Sequence, residues 1–104
     1  MIIRFVKMTF RPEHASEFEN LFALTRPRIT GFDGCHQVDL FTDSADRNVY
    51  FTVSHWDSED HLNRYRSSDF FRETWSRVKP MFSARAEAWS LVRPGPEEPG
   101  NTTG

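Results

Sequence analysis

The order in which strand-like and helix-like segments follow one another is the feature that most constrains the fold. Alternating side chains, rich in β-branched and aromatic residues, predict four strands at residues 2–10, 35–43, 48–56 and 82–93. Apolar residues at helical spacing predict a helix over residues 13 to about 25 and two helical stripes between 57 and 80. The order β-α-β-β-α(α)-β is the α+β, ferredoxin-like arrangement. Such a fold is a four-stranded antiparallel sheet with helices on one face.

Turn residues, caps and prolines set the ends of these elements. The short polar segment 44–48 predicts an antiparallel hairpin between the second and third strands. Pro27 either interrupts the first helix or opens a last short turn. Residues 57–60 and 67–69 supply caps for two later helices, and Pro80 ends the second of them.

Both faces of the predicted strands carry apolar side chains. In the first strand Ile3 and Phe5 share one face, whereas Val6 and Met8 lie on the other. In the second strand, alternation divides the side chains into His36, Val38, Leu40 and Thr42 on one face and Cys35, Gln37, Asp39 and Phe41 on the other. Because helices cover only one face of such a sheet, the other would leave an apolar patch in water. We therefore expect a homodimer that pairs two sheets face to face.

Charge and cysteine content exclude several classes of protein. The 104 residues include 13 Lys and Arg and 15 Asp and Glu, for a net charge of −2, which argues against a nucleic-acid binder. No apolar run approaches the ~20 residues that span a membrane, so no membrane partner is expected. The single cysteine, Cys35, cannot form an internal disulfide, which favours the cytoplasm. The length fits one domain over 1–93, followed by a flexible Pro/Gly-rich tail over 94–104.

The chain is also rich in aromatic residues, with ten Phe, three Trp and two Tyr. Phe18 and Phe22 fall on a helical stripe and predict ordinary core packing. The rings on the strands are divided between that core and the expected subunit interface. Trp56 and Tyr65 remain as the candidate rings of a pocket.

The third strand and the segment after it carry the strongest motif. Gly34-Cys35 opens the second strand, and the third strand leads into Trp56-x-Ser58-x-x-x-Leu62-x-x-Tyr65-x-x-Ser68-x-x-Phe71. In order and spacing this resembles the antibiotic-biosynthesis monooxygenase family of dimeric α+β barrel proteins, over about residues 1–92. The family commonly has His where this chain has Tyr65.

This resemblance implies several possible activities. Some members of the family oxygenate polycyclic aromatic compounds such as anthrones without flavin, metal or haem, through a cluster of Asn, Trp, Tyr and Arg. Trp56 matches the Trp at the strand end, and the other partners would be Asn48, Tyr65 and either Arg66 or Arg72. A haem-degrading branch uses Asn, Trp and His where this chain has Lys7, Tyr65 and Trp75. Because the axial histidine is replaced, the resemblance disfavours haem degradation.

The predicted site therefore centres on Tyr65 and Trp56 as catalytic residues acting on a small aromatic or quinone-like molecule. The Tyr65 phenol can donate a proton or a hydrogen bond to a substrate oxygen. The candidate substrate-binding residues are Asn48, His61, Arg66, Arg72 and Trp75. The histidines show no metal-binding spacing, so no metal is expected, and oxygenation by a substrate carbanion needs no cofactor.

Each of these residues also has a purely structural explanation. Trp56 and Trp75 can be core residues, and His61 can be a hydrated residue in the first turn of a helix. Under that interpretation the protein is a non-catalytic dimer that binds a small molecule or is linked to stress.

Overall fold

Four strands form one antiparallel sheet in the order β2-β3-β1-β4. The structure, a computed structural model, describes residues 1–95. The strands are β1 (Ile2–Thr9), β2 (Cys35–Thr42), β3 (Val49–Trp56) and β4 (Glu87–Leu91). Residues 96–104 of the predicted tail lie outside the described part of the chain.

Three helices pack on one face of this sheet: α1 (Ala15–Thr30), α2 (Glu59–Arg66) and α3 (Asp69–Val78). Short 3-10 turns at Pro12–His14 and Lys79–Met81 precede α1 and follow α3. This confirms the α+β, ferredoxin-like fold predicted from the sequence. None of the helices within residues 1–95 is long and apolar enough to cross a membrane.

The first helix is longer than predicted. It continues through Pro27 to Thr30, where the sequence suggested an end near residue 25. Pro27 lies exposed in the second-to-last turn, so the lost backbone N–H falls on the solvent side. Beyond it, Ile29 is buried and the Thr30 hydroxyl donates to the Arg26 and Pro27 carbonyls. These contacts hold the last turn in place.

The predicted caps of the later helices are confirmed. The Ser58 hydroxyl accepts from the His61 backbone N–H at the start of α2, and Ser68 accepts from Phe71 at the start of α3. The helix α3 ends before the 3-10 turn that contains Pro80. Only Ser67 and Ser68 separate α2 from α3.

Two strand predictions need correction. The fourth strand covers Glu87–Leu91 rather than 82–93, because Phe82 makes only an isolated bridge to Phe10 before the chain leaves the ladder. In β2, a β-bulge between Cys35 and Gln37 interrupts the alternation. Cys35 therefore pairs opposite Trp56 and packs against the core, not on the face of Gln37 as predicted.

The two faces of the sheet differ sharply. The face under the helices, which we call the covered face, carries Met8, Val38, Tyr50 and Trp56, all at most 4% exposed. Helix residues complete this core: Phe18, Leu21, Phe22, Ile29, Leu62 and Val78.

The opposite face of the sheet, which we call the open face, has nothing packed on it within the described chain. Its central row aligns Phe5 with Val53 on one side and Trp89 on the other. Phe41, Trp89 and Leu91 are 55%, 43% and 47% exposed. An apolar, aromatic surface of this kind is what the sequence predicted.

Candidate functional site

A cavity of about 290 Å³ lies between the covered face and the three helices. Its floor is formed by strand side chains that include Val6 and Thr52, and its walls by side chains from α1, α2 and α3 such as Ile29, Tyr65 and Trp75. The lining is mainly apolar, with a few polar groups. This volume is at the lower end of the range for small-molecule sites, and the mixture of groups is typical of them.

Aromatic rings in contact with one another build one wall of the cavity. The Tyr65 ring stacks on Trp56, with centroids 5.0 Å apart and planes at 26°. Phe71 meets Tyr65 edge-on at 5.1 Å and lies parallel to Trp75 at 5.9 Å. Edge-on and parallel contacts of this kind are the preferred arrangements of aromatic pairs, so each ring has a defined orientation in the wall.

Trp56 lies behind this wall rather than in it. The residue is fully buried, does not line the cavity, and donates its indole N–H to the Ser54 hydroxyl at 2.9 Å. It therefore supports Tyr65 by stacking and does not reach a ligand in the cavity.

The Tyr65 hydroxyl is the titratable group of the aromatic wall. Burial and, secondarily, the nearby Cys35 raise the pKa of this phenol well above its ordinary value, so Tyr65 stays protonated at neutral pH. The hydroxyl makes no hydrogen bond to any residue within 1–95. A neutral, partly buried phenol without a protein partner is free to donate to a ligand.

Two arginines bring positive charge to the cavity. Arg4 from β1 and Arg66 from the last turn of α2 both line it. Arg4 donates to the Ser90 hydroxyl at 2.9 Å. Burial and the neighbouring charge of Arg66 lower the pKa of Arg4, although an arginine stays charged at any ordinary pH.

The structure brings together three of the residues predicted from the sequence. Tyr65, Arg66 and Trp75 line the same cavity, and Trp56 supports them from behind. Sequence reasoning missed Arg4. A signal was present, because Arg4 alternates onto the same strand face as Val6, which belongs to the core side.

The remaining candidates lie away from the cavity. Asn48 is in the turn before β3, where its carbonyl accepts from the Phe10 N–H. Arg72 points outward on α3 and pairs with Asp69 at 2.5 Å. His61 lies against Gly34, with its Nδ1 2.6 Å from the Ser58 hydroxyl.

Comparison with known proteins places the chain in a family. A family model described as antibiotic biosynthesis monooxygenase matches residues 1–76. The chain belongs to the antibiotic biosynthesis monooxygenase family. The resemblance inferred from the motif around Trp56 is thereby confirmed.

Solved structures agree with this fold. A Deinococcus radiodurans structure described as a "putative antibiotic biosynthesis monooxygenase" has a TM-score of 0.83 at 14% identity and covers 94% of this chain and 97% of its own. A Bordetella bronchiseptica structure with the same description has a TM-score of 0.80 at 24% identity, covering 88% and 95%. At these identities the likeness establishes the fold and not the chemistry.

A relative from Haloquadratum walsbyi carries the name "putative heme-binding protein". It is 34% identical over 71 residues, which cover 66% of this chain but 13% of the relative. The chain thus corresponds to a small part of that protein.

The cavity does not fit the iron of a haem. Haem iron is held by His, Cys, Met or Tyr, and none of the four histidines lines this cavity. Met8 lines the cavity but is only 3% exposed, so its thioether offers little surface to an iron. Tyr65 holds its proton more tightly than usual, which disfavours tyrosinate ligation. Within residues 1–95 there is also no group of three or more His, Cys, Asp or Glu that could hold a metal ion.

Proposed function

We propose that this protein is a cofactor-independent monooxygenase that oxidises a small phenolic or quinone-like aromatic molecule in the cavity under α2 and α3. One observation carries the proposal: Tyr65, whose neutral hydroxyl has no partner within residues 1–95, lines an apolar, aromatic-walled cavity in a chain of this family. Trp75 and Phe71 would hold the planar ring system by stacking.

The reaction needs no electron carrier because the substrate is the reductant. A ring CH₂ between electron-rich rings is acidic and loses one proton to solvent base before the substrate is enclosed. The bound carbanion then reduces O₂ with formation of a C–O bond and, after protonation, a hydroperoxide. The O–O bond then breaks as the second C–H proton leaves, which gives a carbonyl and a water molecule. Four electrons pass to O₂, one oxygen atom enters the product and the other enters water.

Tyr65 has a defined role in these reaction steps. Since its pKa is raised, it donates a hydrogen bond or a proton to the developing peroxide and regains the proton from solvent, and it does not act as the base. The apolar lining keeps water from the carbanion.

The proposal includes a homodimer. Trp89, Phe41 and Leu91 expose apolar surface on the open face, and a second copy would cover it by the same patch on each subunit. We further propose the cytoplasm as its compartment, in keeping with the single Cys35.

The test is oxygen uptake by chelator-treated protein with an anthrone-type substrate, with quinone formation followed by absorbance. We expect uptake above the rate of spontaneous oxidation and a loss of about 10²-fold in kcat for Tyr65→Phe. Tyr50→Phe is the matched control, because that phenol is bonded to Glu19 and does not line the cavity. Ligand binding without uptake would favour the non-catalytic binding dimer instead.

A further inference from the structure

We propose that the ligand of this cavity is an aromatic acid, whose anionic oxygen group binds between Arg4 and Arg66 while its rings lie against Phe71 and Trp75. The inference rests on the proposed function for the choice of cavity and deepens it by naming a class of ligand. It does not depend on the redox step.

The first observation is the placement of the two guanidinium groups. Arg4 comes from the middle of the sheet and Arg66 from the end of α2, yet both line one cavity. They are close enough for the charge of Arg66 to act on Arg4. Two positive groups that converge on one small cavity repel each other unless an anion lies between them.

The second observation is the lack of a counter-charge. Within residues 1–95, neither Arg4 nor Arg66 forms an ion pair with a carboxylate. Glu87 also lines the cavity, but its carboxylate lies 3.8 Å from Lys7. Arg66 is exposed and reaches solvent, whereas Arg4 is partly buried and has one neutral partner, the Ser90 hydroxyl.

The two arginines define the chemical group that would bind between them. A guanidinium offers five N–H donors in a planar fork, and Arg4 uses one of them on Ser90. A planar oxygen anion, such as a carboxylate, accepts two parallel hydrogen bonds from such a fork. The apolar wall beside the arginines suits the hydrocarbon part of the same molecule, so an aromatic acid matches both halves of the lining.

The experiment compares two probes of equal size, 2-naphthoate and the neutral 2-naphthamide, by calorimetric titration of the full chain without O₂ consumption. We expect naphthoate to bind at least about tenfold more tightly than naphthamide. Arg4→Gln and Arg66→Gln should each weaken naphthoate about tenfold and leave naphthamide unchanged.

Arg64→Gln is the matched control. Arg64 lies two residues from Arg66 on the same helix but pairs with Asp33 at 3.8 Å and does not line the cavity. We expect it to bind both probes as the parent protein does. Because Arg66 is exposed, Arg66→Gln should keep the fold, which thermal unfolding checks, even where Arg4→Gln does not.

Equal affinity for the two probes, binding of neither probe, or loss of naphthamide binding in Arg66→Gln would each overturn the inference. These outcomes are independent of oxygen uptake. A protein that prefers naphthoate but consumes no O₂ with anthrones keeps the anion site and loses the proposed oxygenation. A protein that oxidises a neutral anthrone and does not prefer naphthoate keeps the oxygenation and loses the anion site.

Discussion

The covered and open faces of the sheet carry similar aromatic residues in different roles. On the covered face, Trp56 is fully buried and Tyr65 stacks on it beside a cavity. On the open face, Trp89 is 43% exposed and nothing in the described chain packs on it. The same kind of ring is therefore structural support for a site on one face and a candidate contact with a second molecule on the other.

Two groups of aromatic rings in the core differ in whether they leave space for a ligand. On one side of the core, Trp56, Tyr65, Phe71 and Trp75 form a row of ring contacts, and all but Trp56 line the cavity. At the other end, Phe10, Phe18 and Tyr50 pack against one another in a cluster, and Phe18 also lines the cavity. The cavity therefore lies where the rings form a wall rather than a packed cluster.

The largest effect on the free energy of unfolding should come from Trp56→Ala, which we compare with the single variant Trp89→Ala. Removing the buried indole leaves a cavity and a Ser54 hydroxyl without its donor, so we expect a loss of about 3–5 kcal/mol in the free energy of unfolding. Trp89→Ala should cost under about 1 kcal/mol in dilute protein. Urea unfolding measures both, and equal losses would contradict the distinction between the faces.

A charge on the open face should break the proposed dimer. Val53 lies next to Phe5 in the centre of that face, and Val53→Glu would bury an unpaired carboxylate in the interface. We expect dimerisation at least about 10²-fold weaker, which corresponds to about 3 kcal/mol. The mass measured by light scattering should fall from twice the chain mass of 12.2 kDa toward the mass of one chain.

Leu24→Glu is the control for that experiment, since Leu24 is 76% exposed on α1, away from the open face. It should leave the mass unchanged. A parent protein already at the mass of one chain would remove the proposed homodimer.

Substitution of Gly34 tests how closely α2 packs against the loop that precedes β2. Its φ is +86°, and a Cβ there would lie 2.4 Å from the His61 ring. We expect Gly34→Ala to lower the free energy of unfolding by about 2 kcal/mol or more, from backbone strain and the clash. Gly31→Ala has ordinary backbone angles and should stay within about 0.5 kcal/mol by the same urea assay.

Alkaline pH should give the smallest effect. Burial, followed by the hydrogen bond to Glu19, raises the pKa of Tyr50 to about 12, whereas the unfolded phenol titrates near about 10. A raised folded-state pKa gives stability that is fully present below about pH 10 and is lost as pH rises toward 12. We expect a loss of about 1 kcal/mol at pH 11.

Tyr50→Phe should start less stable at pH 8, because Glu19 loses its partner, and should lose less between pH 8 and 11. Some loss remains in the variant, since the pKa of Tyr65 is raised as well. Equal losses in the variant and the parent protein would show that Tyr50 is not the titrating group.

The sequence was sufficient for the fold because each signal was local. Alternation placed Val6 and Met8 on one shared face, which the structure shows to be the covered face, and Ser58 and Ser68 marked the helix starts correctly. The bulge at Cys35 was not predicted. It is a shift in how β2 pairs with β3, and the alternation of β3 carries no sign of an extra residue in β2.

The candidate site was only partly predictable. Tyr65 was found because it belongs to the motif, and Arg66, like Arg72, was chosen as an arginine near it. Arg4 lies 62 positions away from Arg66 and joins it in one cavity only in the folded chain. Asn48 and Arg72 were chosen for residue type and nearness in sequence, and the turn and the outer helix face carry them away from the cavity.

The most direct test of the central claim is oxygen labelling. Chelator-treated protein is supplied with an anthrone-type substrate and ¹⁸O₂, and the quinone is analysed by mass spectrometry. We expect one labelled oxygen per quinone, formed at a rate that falls about 10²-fold in Tyr65→Phe and not in Tyr50→Phe. Quinone formed no faster than without protein, or equally fast in Tyr65→Phe, would contradict it.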